Sequence, residues 1–380
     1  MKGLVKAFLV LEDGTVFKGT PFGALGERLG TVVFNTGVVG YEKILTDPAC
    51  KGNIIVMTYP LIGNYGVNHK DLESETCHGT ALVVRDLSRN SSNFRAEEGL
   101  NDFLKRCGVI GIANVDTRAL TIHIRENGEM RGIIVTVPND TETIDIDSLL
   151  SKIRSYNPVL SGEIEGERFN IKKSGNSNLH VVAIDLGVQR SSLQQFERLG
   201  CYVTLVPAGT KARDIIDMEP DGIFISSGPE DETLITKVAE ELKPLLGKKP
   251  IFGIGTGNLV LGCALRGRIK RMKCGHRGAN YAVKNIENGR LDITLQNHGY
   301  VLDENSLPYE NVQITWGNLV DGTIEGISAN NIRAFSLQYI PNTMERGTVS
   351  KGFKEFKEEL LKSKAIGITE RDGDACAKER

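Results

Sequence analysis

The segment 250–263, PIFGIGTGNLVLGC, constrains the fold of this chain more than any other stretch. An apolar run, three alternating glycines (Gly253, Gly255 and Gly257) and a second apolar run with helical spacing predict a strand, a sharp turn and a helix. Enzymes place nucleophiles at the apex of such turns, where nearby backbone N–H groups can stabilise an oxyanion. The apex residue here is Gly255, so the sequence has the frame of a catalytic turn without a reactive side chain.

This segment is one part of a longer alternation between strand-like and helix-like runs. After residue 178 the chain reads VVAIDLG, SLQQFERLG, CYVTLVPA, ARDIIDMEP, GIFISSG, ETLITKVAEELKPLLG, IFGIG and NLVLGCAL. The alternation predicts a doubly wound α/β domain with a mainly parallel sheet. Ligand sites in such sheets lie beyond the carboxyl ends of the strands, so we expect a site at GIFISSGPED and IFGIGTGN.

The beginning of the chain has a different pattern, and 380 residues are enough for two domains. Residues 1–150 are dense in β and turn signals and predict a β-rich domain that starts with a hairpin at the Asp13-Gly14 dipeptide. Helical spacing predicts helices at 98–107 and 115–127. Asp116 or Thr117 is expected to cap the second of these helices.

The remaining boundaries follow from changes in polarity. Residues 151–178 are polar and predict an interdomain linker. The α/β domain is expected over 179–365 and ends in a helix at 349–364. Residues 366–380 predict a frayed polar tail.

Charge and composition exclude several classes of protein. A formal net charge of −2 and a pI near 6.4 give no electrostatic basis for binding nucleic acid. No run approaches the roughly 18 apolar residues of a membrane span, and the N-terminus predicts a strand instead of a signal peptide. The seven cysteines form no C-x-x-C pair, which favours thiols in a reducing compartment. We therefore expect a cytoplasmic protein without a metal or cofactor.

Long sequence blocks carry a resemblance to a known family. The first domain contains VVFNTGVVGYEKILTDP, TYPLIGNYGVN and IANVDTRALT, and the second contains VVAIDLGVQR, PDGIFISSGPED, KPIFGIGTGN, ITLQNHGYVLDENSLP and AFSLQYIP. In this order, over about residues 5–345, the blocks resemble the small, glutamine-hydrolysing subunit of carbamoyl-phosphate synthase. The resemblance implies an N-terminal small-subunit domain, followed by a class I glutamine amidotransferase domain.

The resemblance also implies a Cys-His-Glu triad, in which the thiolate attacks the glutamine amide and ammonia passes to a large synthetase subunit. Where the family reads roughly G-I-C-L-G-H-Q, this chain has Gly255 in place of the Cys. Where the family reads F-x-x-Q-x-H-P-E, this chain has Ile340 in place of the His and Asn342 in place of the Glu. Neither replacement can accept a proton at neutral pH, so no catalytic residue is expected.

The family's glutamine pocket is altered as well. Its positions correspond to Gly37, Gly228, Glu230, Thr256, Leu259, Asn297, Gly299 and Tyr300. Leu259 replaces a Gln that holds the substrate, Gly37 replaces a Ser, and Glu230 replaces a Gly in the oxyanion strand. The last change adds an anionic side chain where backbone must approach the substrate. Asn297, Gly299 and Tyr300 still fit the family pattern.

Other residues near these motifs have structural explanations. We expect the Thr256 hydroxyl to cap the helix, since no His remains to activate it as a nucleophile. Cys263 and Cys274 are expected to be buried thiols, and His276 and His298 to form structural hydrogen bonds. The glycine-rich turn also suggests a phosphate site, but it lacks the third glycine of G-x-G-x-x-G.

The favoured hypothesis is a pseudoglutaminase that supports or regulates a synthetase large subunit using free ammonia. One alternative is an active glutamine-hydrolysing subunit that works through a displaced thiol. The other is a non-enzymatic sensor that binds glutamine or another small ligand. The sequence leaves open whether the pathway is arginine or pyrimidine biosynthesis.

Overall fold

The structure, a computed structural model, describes residues 5–138, 144–157, 169–171, 179–341 and 348–377. The chain divides into two compact units. The first contains Met1–Leu160 and Met272–Asn280, and the second contains Ser161–Arg271 and Tyr281–Arg380. The narrower domain limits at 150, 178 and 365 stay predictions.

The first unit is built on short strands and four helices among its described residues. Its strands are β1 (Val5–Leu11), β2 (Val16–Gly23), β3 (Glu27–Asn35), β4 (Asn53–Met57), β5 (Leu61–Ile62), β6 (Ala81–Val83), β7 (Asp86–Leu87), β8 (Ile110–Ala113) and β9 (Met130–Pro138). Its helices are α1 (Tyr41–Thr46), α2 (Leu100–Cys107), α3 (Thr117–Asn127) and α4 (Ile146–Ser155).

Seven of these strands close into a barrel in the order β1-β2-β8-β6-β4-β3-β9, and β1 pairs with β9. Alternate residues of β4 face different apolar clusters. Ile54 and Val56 pack in a cluster with residues of α3, whereas Ile55 and Met57 pack in a cluster with residues of α2. Because both of its faces are buried, β4 is apolar from Ile54 to Met57, without the polar alternation of a half-exposed strand.

The local predictions for the first unit are largely confirmed. The predicted hairpin exists, with Val10 opposite Val16 and Gly14 at φ 89° in the turn. Both predicted helices exist, each beginning two residues later than predicted. The Asp116 side chain caps α3 by accepting a hydrogen bond of 3.0 Å from the backbone N–H of Ala119.

The second unit is an α/β structure. Its strands are β10 (Phe169–Ile171), β11 (His180–Asp185), β12 (Tyr202–Pro207), β13 (Gly222–Ile225), β14 (Ile251–Ile254), β15 (Ile269–Asn285), β16 (Leu291–Leu302), β17 (Gln313–Asn318), β18 (Ile324–Ala329) and β19 (Ala334–Leu337). Its helices are α5 (Arg190–Arg198), α6 (Ala212–Ile216), α7 (Glu232–Leu242), α8 (Thr256–Ala264) and α9 (Lys351–Ala377). The middle of β15, Met272–Asn280, belongs to the first unit.

The strands β10–β19 form one sheet in the order β10-β12-β11-β13-β14-β19-β18-β17-β15-β16. The central strands β12, β11, β13, β14 and β19 are parallel. In β13, Ile225 packs in a cluster with residues of α7 and α8, whereas Phe224 packs in a cluster with Phe196 of α5 and Phe353 of α9. The sheet is therefore covered by helices on both faces, which confirms the predicted doubly wound fold.

The end of the chain departs from its prediction. The terminal helix was expected at 349–364 and a frayed polar tail at 366–380, but α9 spans Lys351–Ala377. No proline interrupts 366–377, so the helical hydrogen bonding can continue through this polar sequence. Within the described part of the chain, every helix is too short or too polar to cross a lipid bilayer.

Candidate functional site

The strand-turn-helix segment has the predicted form. β14 ends at Ile254, α8 begins at Thr256, and Gly255 between them has φ 53° and ψ −118°. These angles lie outside the regions that residues with a Cβ favour. The Gly255 N–H donates a hydrogen bond of 2.8 Å to the carbonyl of Leu337 at the end of β19. The backbone therefore forms the sharp, strained turn on which a nucleophile is normally presented.

The space that a side chain would need at Gly255 is occupied by Ser227. A Cβ built on Gly255 would lie 2.4 Å from the Ser227 hydroxyl oxygen and 3.0 Å from its Cβ. Ser227 is itself buried, with 4% of its surface exposed. A thiol could therefore be placed at the apex only if Ser227 moved. Sequence reasoning did not identify Ser227.

Thr256 follows the apex, and its side chain does not cap the helix as predicted. Its hydroxyl donates a hydrogen bond of 2.6 Å to the carbonyl of Gly228, and α8 has no side-chain cap. The cap prediction is wrong because Thr256 is already the first residue of α8 and Gly255, which has no side chain, takes the cap position. Gly228 lies close to the backbone of Leu186, since a Cβ on it would lie 1.9 Å from the Leu186 carbonyl oxygen.

Glu230 occupies a pair of backbone amides. Its carboxylate accepts hydrogen bonds from the N–H of Gly299 at 2.5 Å and from the N–H of Tyr300 at 3.2 Å. Two consecutive N–H groups that converge on one carboxylate form an anion-binding pair. The structure thus brings together three of the predicted pocket residues, and the carboxylate of Glu230 occupies the backbone N–H groups of the other two.

Strand β16, which contains Gly299 and Tyr300, also carries Asn297, which is half-buried. Burial is the main cause that raises the pKa of the Tyr300 phenol, to about 12, and the Glu232 carboxylate raises it further. Tyr300 is therefore neutral at physiological pH. Its hydroxyl is a hydrogen-bonding group and not a base.

The second triad motif follows β19. Ile340 is half-buried, and its backbone N–H donates a hydrogen bond of 2.9 Å to the carbonyl of Leu295. This bridge fixes the backbone, but the side chain is a hydrocarbon and can neither accept nor donate a proton. Asn342 lies outside the described residues.

A buried polar network lies directly behind the turn. The Asn258 amide donates to the side-chain oxygen of Gln338 at 2.5 Å, and the Ser336 hydroxyl donates to the side-chain oxygen of Asn258 at 2.8 Å. All three side chains are at most 1% exposed. The network joins α8 to β19, so it holds the two triad motifs together. Sequence reasoning missed it because the partners are about 80 residues apart.

The N-terminus of α8 is closed to ligands. Thr256 is 2% exposed and Asn258 is 0% exposed, so the structure offers no room for phosphate at the glycine-rich turn. Leu259 is 0% exposed and packs in the core between the sheet and α7. Leu259 therefore presents no surface to a ligand.

Gly37 lies in the first unit, between β3 and α1. Its N–H donates a hydrogen bond of 2.8 Å to the Asn35 side chain. A Cβ at this position would lie 2.9 Å from the same Asn35 oxygen. A serine here would therefore require Asn35 to move.

The thiols proposed as substitute nucleophiles are protonated. Burial raises the pKa of Cys263 to about 11. Burial also raises the pKa of Cys274, which donates a hydrogen bond of 3.4 Å to the carbonyl of Ile124 within the first unit. Both thiols are half-buried. Neither has the thiolate character that nucleophilic catalysis requires.

The two motif histidines are buried, at 7% exposure for His276 and 2% for His298. The ring nitrogens of His298 are within 3.1 Å of the Tyr300 carbonyl and 3.3 Å of the Gln296 side-chain oxygen. The structural role predicted for His298 is confirmed by these bonds.

Comparisons with known proteins agree with this two-part architecture. Residues 9–134 match the model of the carbamoyl-phosphate synthase small chain, CPSase domain, and residues 182–357 match the model of class I glutamine amidotransferases. The carbamoyl phosphate synthase small chain of Akkermansia muciniphila is 40% identical over 89% of this chain and 92% of its own length. The protein of the same name from Syntrophotalea carbinolica is 42% identical over 89% of this chain and 93% of its own length. The carbamoyl phosphate synthase small chain of Chlorobaculum tepidum is 40% identical over 93% of this chain and 97% of its own length. The chain therefore belongs to the carbamoyl phosphate synthase small chain family.

Proposed function

We propose that this chain is a glutaminase-inactive small subunit that supports or regulates a synthetase large subunit using ammonia. The observation that carries the proposal is Gly255 at the apex of an intact nucleophile turn, with Ser227 in the space of the missing side chain. Covalent amide hydrolysis needs a thiolate at this apex, a base beside it and an open pocket for the amide. Gly255 supplies no nucleophile.

The base is the second missing element. Ile340 stands at the His position, and its hydrocarbon side chain offers no lone pair. A water molecule could not be activated there in the way the family's imidazole activates a thiol. The chain therefore lacks both the nucleophile and the base of the reaction.

The pocket supports the same proposal. Glu230 holds the N–H groups of Gly299 and Tyr300, which correspond to positions of the family's glutamine pocket. An incoming carboxylate would have to displace Glu230 and would be repelled by its charge if it bound beside it. Glutamine binding by the wild-type chain is therefore expected to be weak or absent.

The partner we propose is the large subunit of a carbamoyl phosphate synthase or a similar synthetase, in the cytoplasm. The support is the family itself. The relatives from Akkermansia muciniphila and Syntrophotalea carbinolica are named as small chains, and the match covers 92% and 93% of their length. The pathway, whether arginine or pyrimidine biosynthesis, would follow from the identity of that partner.

The first experiment measures glutamate release from glutamine by the purified full chain, alone and with a carbamoyl phosphate synthase large subunit. We expect no release above the uncatalysed rate. We also expect the chain to change ammonia-dependent carbamoyl phosphate formation by its partner. Glutamate release that is abolished by Cys263→Ser or Cys274→Ser would overturn the proposal in favour of an active glutaminase.

The second experiment rebuilds the site. Gly255→Cys alone is expected to release no ammonia, because Ile340 and Glu230 remain. The matched control is Gly322→Cys, which places a thiol at an exposed turn of the same unit. Ammonia release by Gly255→Cys above that of the control would contradict our account of the site.

A third experiment tests the alternative that the chain is a small-molecule sensor. Calorimetric titration with glutamine is expected to give no heat for the wild-type chain and measurable binding for Glu230→Gly, which frees the two amides. Binding by the wild-type chain without turnover would instead identify a small-molecule sensor.

A further inference from the structure

A cleft of about 510 Å³ lies in the second unit, between α9 and the antiparallel end of the sheet. Its walls come from β17, β18, β19, the turn between β15 and β16, and the N-terminal half of α9. Among the described residues that line it, none belongs to the glutamine pocket. Its volume is within the roughly 300–1,000 Å³ of small-molecule sites, so a ligand of amino-acid size fits inside it.

Two aromatic side chains that line the cleft carry polar atoms without a partner. Trp316 of β17 and Tyr339 after β19 are 7% and 8% exposed, and their rings meet edge to face with centroids 5.9 Å apart. Within the part of the chain that the structure describes, the indole N–H of Trp316 and the hydroxyl of Tyr339 form no hydrogen bond. Neither atom is fully enclosed. Since polar side chains this deeply buried are normally paired, the two atoms are available to a ligand in the cleft.

The charged groups in and beside the cleft divide into paired and unpaired ones. Ion pairs join Lys351 to Glu355 at 3.4 Å, Lys362 to Glu359 at 2.7 Å and Asp292 to Arg290 at 3.0 Å. Three lining side chains form no ion pair with any described residue, and these are Glu287, Glu358 and Arg333. The cleft therefore offers a ligand two carboxylates and one guanidinium that no partner in contact neutralises.

The elements that carry these groups are fixed by the fold. Arg333 directly precedes β19, and its carbonyl accepts a hydrogen bond of 3.0 Å from the N–H of Ile251 in β14. Glu358 is on α9, which is anchored by Phe353 and Phe356, both at most 1% exposed. Burial raises the pKa of Tyr339 above its ordinary 10.0, so its hydroxyl is neutral at physiological pH and can accept a hydrogen bond. The site is therefore held in place before a ligand arrives.

We propose that this cleft binds a basic amino acid, a zwitterion that carries a second cationic group on its side chain. Arg333 binds the carboxylate of the ligand, because a guanidinium pairs with a carboxylate in a bidentate way, and the Trp316 N–H, which can only donate, needs an acceptor of this kind. Glu287 and Glu358 take the two cationic groups, one of which also donates to the Tyr339 hydroxyl. Two carboxylates and one guanidinium thus complement a ligand with two cations and one anion.

The test titrates the full chain with L-lysine and with L-arginine, and follows binding by calorimetry and by the emission of Trp316, the single tryptophan, which lines the cleft. We expect saturable binding of at least one of the two probes, and their relative affinity shows whether an ammonium or a guanidinium is preferred. L-Norleucine lacks the side-chain cation and cadaverine lacks the carboxylate. Each should bind at least about ten-fold more weakly than L-lysine or L-arginine, because it loses a hydrogen bond between charged groups.

Variants then locate the site in the chain. Arg333→Gln and Glu358→Gln should each weaken binding of the preferred probe about ten-fold, because each removes a charge that contacts the ligand. The matched controls are Lys248→Gln and Glu310→Gln, which remove the same charges at exposed positions of the same unit and should leave the affinity unchanged. Tyr339→Phe keeps the ring and should weaken binding about three- to ten-fold, through the loss of one hydrogen bond.

Three results would overturn the proposal. The first is no saturable binding of either basic amino acid up to about 20 mM, a concentration that nearly fills even a millimolar site. The second is equal binding of L-lysine, L-norleucine and cadaverine. The third is an affinity that neither Arg333→Gln nor Glu358→Gln changes relative to its control.

Discussion

Replacing Gly255 with alanine tests whether the apex of the turn is closed by backbone strain and by Ser227. The alanine Cβ would sit on a residue at φ 53° and ψ −118°, 2.4 Å from the Ser227 hydroxyl oxygen. Both effects act on the folded state, so Gly255→Ala should destabilise the second unit.

The magnitude can be worked from the two effects. Holding a residue with a Cβ in such backbone angles costs about 1–3 kcal/mol. Forcing the buried Ser227 aside is an overpacking change of about 1–3 kcal/mol. Together the two costs give an expected loss of about 2–6 kcal/mol in the free energy of unfolding. Alanine also stiffens the unfolded chain, which offsets about 0.4–1 kcal/mol of this loss.

Urea unfolding followed by tryptophan fluorescence is a suitable assay. Trp316, the single tryptophan of the chain, lies in the second unit and is 7% exposed, so its emission reports the unfolding of that unit. The matched control is Gly322→Ala. Gly322 has φ 74° and open space around its Cβ position, so it carries strain without the clash.

Two results would refute the reasoning. One is a loss at Gly255→Ala no larger than that at Gly322→Ala, since the clash would then contribute nothing. The other is the absence of coupling with Ser227→Gly, which removes the clashing atoms and should reduce the cost of Gly255→Ala by about 1–2 kcal/mol.

Three further predictions concern buried polar groups. Asn258→Ala should cost about 2–4 kcal/mol in the same fluorescence assay, because it removes the 2.5 Å donor of the buried Gln338 oxygen. Glu129→Gln should lower the melting temperature in circular dichroism, because it removes the carboxylate charge that is ion-paired with the buried guanidinium of Arg277. Burial raises the pKa of Glu42 above its ordinary 4.5, so the stability that this group contributes is complete below about that pH and is lost as the pH rises through the raised value. Glu42→Gln should not show this loss, and melting temperatures from about pH 4 to about pH 7 should therefore fall more steeply for the wild type than for the variant.

The sheet of the second unit was predictable because its strands carry their burial in the sequence. Phe224 and Ile225 of β13 are both apolar since each faces a different helical layer. The turn after β14 was predictable for a different reason that is also local. Three glycines within five residues permit backbone angles that other residues disfavour. These signals need no knowledge of distant contacts.

The site could be predicted only in part because its contacts join distant positions. Glu230 and Gly299 are 69 residues apart, and the sequence marked each as a pocket position without linking them. The Thr256 hydroxyl was assigned to the nearest orphan N–H groups, but a carbonyl 28 residues away is its partner. Local pattern reasoning identifies the residues at a site, whereas their pairing depends on how strand ends are brought together.

The altered residues act on different steps, and this determines what a reversion can restore. Gly255 and Ile340 concern attack and proton transfer, which in a triad depend on each other, so restoring one group recovers little while the other is missing. Glu230 concerns binding, because its carboxylate holds the amides of Gly299 and Tyr300 whether or not a nucleophile is present. Glu230→Gly should therefore change glutamine affinity in every background, whereas Gly255→Cys should change turnover only where a base has also been restored. A chain that had lost only its nucleophile would still bind glutamine, whereas under the proposed function the Glu230 carboxylate on the amides of Gly299 and Tyr300 also weakens binding.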